Sequence, residues 1–171
     1  MAEYAAKSYK KVAIITEKTD YAVGLKQVFV KRASELGLTI AGDEEFAPDT
    51  KDFRSILGKI KEAGSEIIFL NAQTEPSLLR LADQARNLGL TQQFMTAEFN
   101  GPNVASAKTV DGIVIAVSPG LANDGKAKAF MEAYVSMFGK EPTYPFYVAA
   151  AYDSLNLFAD GVRKYGEDTA K

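Results

Sequence analysis

KVAIITEKTDYAVGLKQVF, residues 11–29, holds one complete unit of the pattern on which the chain is built. Residues 11–16 form a short, nearly continuous apolar run, the mark of a strand buried on both faces. A polar stretch follows, and a helical period begins at about residue 21. Ala22, Leu25, Phe29, Ala33 and Leu36 share one face, with Lys26, Gln27, Lys31 and Glu35 mostly elsewhere. Asp20 is placed to cap this helix and Gly37 to end it.

The same unit recurs downstream. Residues 38–46 are a weaker, more polar strand, read as a sheet edge, where Asp43, Glu44 and Glu45 discourage edge-to-edge pairing. A helix at about 52–63 turns Phe53, Ile56, Leu57 and Ile60 inward. Residues 66–70 are a third strand. Pro76 sits in the first turn of the next helix, where its missing N–H costs nothing, and that helix runs to Leu88. Gln93–Thr96 is a fourth strand, a brief helix falls near 103–107, and residues 111–117 are a fifth strand. Strands alternating with helices predict an α/β fold with a parallel sheet covered on both sides. Right-handed crossovers then give a doubly wound, flavodoxin-like, five-stranded sheet of order 2-1-3-4-5. After residue 120 the alternation stops, and two additional C-terminal helices are predicted at about 124–138 and 145–165.

Composition narrows the chemistry. Cysteine and histidine are both absent from the 171 residues, which removes disulfides, thiol nucleophiles, zinc–thiolate sites and histidine-based triads. The formal net charge is −2 with no basic stripe, so a phosphate-tracking surface for nucleic acid is not expected. No apolar run approaches the ~20 residues that span a bilayer. The opening MAEYAAKSYKK lacks the apolar centre of an export signal, which leaves a cytosolic protein or a piece of a longer exported chain.

In an open parallel sheet, ligands bind outside the carboxyl ends of the strands. Four loops qualify: Glu17–Tyr21, Ala47–Thr50, Asn71–Glu75 and Ala97–Asn103. Tyr21 offers a ring and a hydroxyl, Asn71, Gln73 and Thr74 offer hydrogen-bonding groups, and Glu98 offers a charge suited to a ligand ammonium group. Each has a plainer reading. Tyr21 can anchor its helix, Asn71 can stabilise a turn, Thr74 can be the N-cap before Pro76, and Glu98 can be a solvated loop acid. GxGxxG and GxxxxGK[ST] are absent, so no nucleotide cofactor is expected, and no metal. Tyr144, Phe146, Tyr147 and Tyr152 read as core packing or an interface between lobes.

The first loop also carries a resemblance. KVAIITEKTDYAVGLKQVF is similar to the opening of the second lobe of type I periplasmic solute-binding proteins of the leucine/isoleucine/valine-binding kind. Their Asp-Tyr-Gly-x-Gly motif reads here Asp20-Tyr21-Ala22-Val23-Gly24, with alanine in place of the first glycine. ILGKIKEAGSEIIFLNAQTEPSLLRLADQARNLGL resembles the family's helix–strand–helix over the ligand, and GLTQQFMTAEF the strand that ends in an acidic contact. FMEAYVSMFGKEPTYPFYVAAAYDSLNLFADGV resembles its late helix pair, with Ala151, Tyr152 and Asp153 as signature; even EYAAKSYKK looks like its pre-lobe helix.

The resemblance implies an extracytoplasmic receptor of an ABC transporter that closes two lobes on an amino acid, branched-chain or similarly apolar. Tyr21, Thr74 and Glu98 match the family's aromatic, mid-lobe and ammonium-binding positions. Thr74 or Gln73 stands where a tyrosine is often found. It implies residues 1–120 as the second lobe and 121–171 as a helical segment normally packed on the other lobe. Export signal and first lobe would lie outside these residues, with a permease as partner and a periplasmic location. Left without their partner, the two late helices would self-associate or swap between chains. It implies no catalytic activity. A sensory ligand-binding domain shares the fold. A receiver module does not fit, because Thr16-Glu17 and Leu70-Asn71 occupy the places of its acidic cluster and phospho-acceptor. An enzyme lacks a nucleophile–base pair.

Overall fold

The computed structural model describes residues 1–97, 104, 107–116 and 125–166. The chain divides into two compact units, Met1–Val117 and Ser118–Lys171. The first is a short helix α1 (Ala2–Ala6) followed by β1 (Lys11–Glu17), α2 (Asp20–Glu35), β2 (Thr39–Phe46), α3 (Arg54–Glu62), β3 (Ile67–Asn71), α4 (Glu75–Asn87), β4 (Gln93–Ala97), a 3₁₀ turn (Lys108–Val110) and β5 (Val114–Ala116). All four strand pairings are parallel, and the sheet order is β2-β1-β3-β4-β5, as predicted.

Alternation along the strands makes the double winding. Ala13, Ile15, Ile68 and Leu70 point into a core filled by Phe53, Leu57 and Ile60 before and within α3, and by Leu78, Leu81 and Ala85 of α4. Val12, Ile14, Ile67 and Phe69 point the other way, against Ala2 and Ala5 of α1 and Phe29 and Ala33 of α2. Phe29 and Phe69 lie 4.8 Å apart between ring centroids across this second layer. A fully buried Ile, Leu or Phe contributes about 1.5–3 kcal/mol, whereas an exposed ion pair contributes about 0–1. The two apolar layers therefore hold the sheet, and the ion pairs trim its edge.

That edge is β2. Lys26 of α2 reaches Asp43 at 3.0 Å and Glu45 at 2.7 Å, while Lys59 of α3 reaches Glu44 at 2.9 Å from the other face. Burial alone would lower the Lys26 ammonium, but its bonds to Glu45 and Asp43 prevail and raise it. The β1–β2 register slips between Val12 and Ala13, so that Ala13 faces Gly42. A side chain at Gly42 would meet Ile60 Cδ1 at 3.1 Å and Ala63 Cβ at 3.2 Å, so glycine lets α3 approach the strand closely.

Most boundaries fall within two residues of expectation, and two differences have a definite physical cause. Thr19, not Asp20, caps α2: its Oγ1 accepts from Ala22 N at 3.2 Å, and Asp20 becomes the acidic residue of the first turn. The last strand begins at Val114 rather than 111. Ile113 N donates to Val110 O, and Gly112 takes φ +77°, so residues 111 and 112 form a turn. Of the brief helix expected near 103–107, all but Val104 and Ala107 lie outside the described residues.

The second unit contains α5 (Gly125–Phe138) and α6 (Pro145–Tyr165). Tyr152 pairs with Phe130 at 5.1 Å, while Tyr144 and Phe146 both meet Tyr147, so the expected aromatic cluster forms two groups. No described side chain of either helix is buried. An apolar groove of about 660 Å³ lies along Phe130, Tyr134, Phe138, Val148, Tyr152 and Leu155. Among the described residues no helix is long and apolar enough to cross a membrane, and no acidic group is arranged to hold a metal ion.

Candidate functional site

Buried polar residues mark one end of the sheet. Thr16, Glu17, Asn71, Ser77 and Thr96 are each at most 3% exposed, and all lie at or just beyond the carboxyl ends of β1, β3 and β4. Polar groups are costly to bury unless they are hydrogen-bonded, so such a layer needs an account in specific bonds. Asn71 Nδ2 donates to the Ala22 carbonyl at 2.7 Å and approaches Thr16 Oγ1 at 3.4 Å, which ties the end of β3 to the first turn of α2. Asn71 Oδ1 finds no partner among the described residues. Thr96 Oγ1 donates to Leu70 O at 2.7 Å and fastens β4 to β3.

Glu17 is the centre of the layer. Its Oε2 accepts from Gln73 N at 2.6 Å and Thr74 N at 3.4 Å, and its Oε1 accepts from Ser77 Oγ at 3.2 Å. Thr74 caps α4, its Oγ1 accepting from Ser77 N at 3.3 Å and donating to Ser77 Oγ at 2.9 Å. Glu17, Thr74 and Ser77 thus form one network at the entrance of α4. Neither Glu17 nor Ser77 stood out in the sequence as a site residue. The available signal was a carboxylate directly continuing a buried strand, opposite a helix that opens Thr-Glu-Pro-Ser.

Above this layer the loops present an exposed polar rim. Tyr21 is 49% exposed in the first turn of α2, and Gln73 and Thr74 are exposed at the start of α4. Asn71 lies beneath, in the buried layer, with its amide engaged as described. Glu98 lies outside the described residues, immediately after the end of β4 at Ala97. The structure therefore brings Gln73 and Thr74 together on one loop, with Tyr21 in the helical turn that Asn71 ties to the end of β3.

This geometry, a parallel sheet with polar side chains gathered at its carboxyl edge, accompanies a sequence profile described as "Periplasmic binding protein" that matches residues 1–171. The chain belongs to the periplasmic binding protein family. It is 27% identical over 170 residues to the leucine-, isoleucine-, valine-, threonine- and alanine-binding protein of Pseudomonas aeruginosa, covering 96% of this chain and 45% of that one. A crystal structure of a leucine-binding protein from Thermotoga maritima superposes with a TM-score of 0.81 at 26% identity, over 97% of this chain and 49% of that one. A branched-chain amino-acid transporter substrate-binding protein from Streptococcus pneumoniae, solved in complex with isoleucine, superposes at 0.71 with 27% identity, over 94% and 47%. The chain spans about half the length of these relatives. Members of this family are extracytoplasmic solute-binding proteins, and proteins named for binding branched-chain amino acids recur among these similar proteins.

Proposed function

We propose that this chain supplies one wall of an amino-acid site in the receptor of an ABC transporter, and that the ligand is an apolar, branched-chain or similar amino acid. The observation that carries this reading is the buried polar layer at the carboxyl ends of β1, β3 and β4 beneath the exposed rim of Tyr21, Gln73 and Thr74. Such a layer fixes loops whose outer groups can then meet a ligand in one conformation. In this reading Tyr21 covers the ligand's side chain, Gln73 and Thr74 supply hydrogen bonds from the middle of the wall, Asn71 fastens their support, and Glu98 takes the ammonium group. Residues 1–120 act as the second lobe, and the helices within 121–171 pack on the other. The whole receptor works outside the cytoplasm and delivers its solute to a permease. The relatives' names favour transport over a sensory role.

Closure between two lobes buries a solute, and a single wall leaves it half solvated. Leucine added to this chain is therefore expected to shift the backbone amides of Tyr21, Gln73 and Thr74 saturably in ¹H–¹⁵N spectra, with an affinity weaker than micromolar. Saturable shifts elsewhere, with these three unmoved, would sink the reading. Micromolar calorimetric binding to this chain would refute the one-wall part of it.

A further inference from the structure

We infer that Glu17 is a positioning residue of this site: a resident anion at the entrance of α4 that holds Gln73 and Thr74 in place and turns the wall against carboxylates. The inference rests on the reading of this edge as an amino-acid site. A helix N-terminus carries unpaired N–H groups and a partial positive charge, and it draws anions. A ligand with a carboxylate would ordinarily be drawn there. In this protein the place is taken from within. Both Glu17 oxygens accept, from Gln73 N at 2.6 Å, Thr74 N at 3.4 Å and Ser77 Oγ at 3.2 Å. An ionised carboxylate is acceptor-only, which this donor set matches. Further donors are spent too: Ser77 N goes to Thr74 Oγ1, Leu78 N goes to Thr74 O, and Pro76 has none.

Glu17 is also fully buried, so water cannot compensate it and the loop cannot turn its amides outward without stranding a charge. The side chain thereby fixes which atoms of Gln73 and Thr74 face outward. The entrance of α4, with its own counter-charge built in, attracts the cationic end of a zwitterion and not its carboxylate.

Three probes of one carbon skeleton test this: leucine, isopentylamine, which lacks the carboxylate, and 4-methylpentanoate, which lacks the ammonium. Wild-type chain is expected to bind the amine more tightly than the acid, read from the amides of Tyr21, Gln73 and Thr74. Glu17→Gln keeps an oxygen acceptor and removes the charge. It is expected to reduce the amine-to-acid ratio by about fivefold, the size of a helix-terminus charge interaction. A role limited to bracing the fold would weaken both probes alike and leave the ratio unchanged, and that result overturns the inference. So does a wild-type chain that binds the acid as well as the amine.

Should leucine and both analogues leave the wild-type spectrum unmoved, the amino-acid reading fails by itself. Acetate added to Glu17→Ala then decides the role of Glu17. Saturable movement of the Gln73 and Thr74 amides toward their wild-type positions supports a vacated anion seat, and no movement overturns it.

Discussion

Asn71 holds two loops with one amide. Its Nδ2 bond to the Ala22 carbonyl joins β3 to α2, and the side chain is 1% exposed. Asn71→Ala removes that buried bond, while the Ala22 carbonyl keeps its acceptor place within α2, a loss of about 0.5–1.5 kcal/mol. Urea unfolding is expected to show a lower midpoint with unchanged slope. At the opposite end of the sheet, Glu66 Oε2 accepts from Lys10 N at 2.6 Å and Lys11 N at 3.2 Å, and these backbone bonds hold its carboxyl below the ordinary value of 4.5. A depressed carboxyl contributes stability that is present above its unfolded value and is lost as pH falls through the folded one. Thermal midpoints of the wild type should therefore drop as pH falls below 4.5, and Glu66→Gln should flatten that part of the curve. An identical slope in the variant would assign the acid sensitivity elsewhere. Sequence made Tyr21, Gln73 and Thr74 visible as polar residues in strand-end loops. It did not reveal Glu17, because a glutamate after an apolar run reads as the start of a solvated loop. Its burial depends on amides more than fifty residues away.

Among the elements, β2 and α3 give the sharpest contrast. Gly42 of β2 leaves 3.1 Å between an added Cβ and Ile60, whereas Gly58 within α3 has nothing within 4 Å. Gly42→Val is expected to cost about 1–3 kcal/mol through overpacking. Gly58→Ala is expected to add about 0.5–1 kcal/mol, because alanine loses less backbone freedom in a helix. Paired denaturant melts check both signs, and a neutral Gly42→Val would mean that α3 retreats freely. The elements themselves were readable because period and burial agree: β3 is buried at every position and α3 turns Leu57 and Ile60 to the core. The cap of α2 was misplaced by one residue because Thr19 and Asp20 are both good caps, and only the hydrogen bond from Ala22 N chooses between them. The start of β5 falls later than hydropathy suggests because Asp111 and Gly112 form a turn, with Gly112 at φ +77°, ahead of an apolar run that reads as strand throughout.

At the scale of the molecule, the first unit encloses two apolar layers, while α5 and α6 leave Met137, Leu155, Leu157 and Phe158 at least 70% exposed. Apolar surface on this scale favours association. Sedimentation of the chain is expected to show reversible, concentration-dependent self-association that Leu155→Lys with Phe158→Lys abolishes. A monomer at millimolar concentration would count against it. The order of strands was legible because right-handed crossovers leave few arrangements for such a pattern.

The place of β1 between two later strands has a consequence for the chain's birth. Its neighbours β2 and β3 come later in sequence, and β3 ends only at Asn71. At about 5–20 residues per second, a ribosome needs roughly 3–10 s to make the intervening stretch. Until then Val12 to Thr16, which the finished protein conceals completely, lack at least one of their two sheet partners. Newly made chains thus have a sticky moment set by topology, during which chaperones and neighbouring nascent chains compete for the strand.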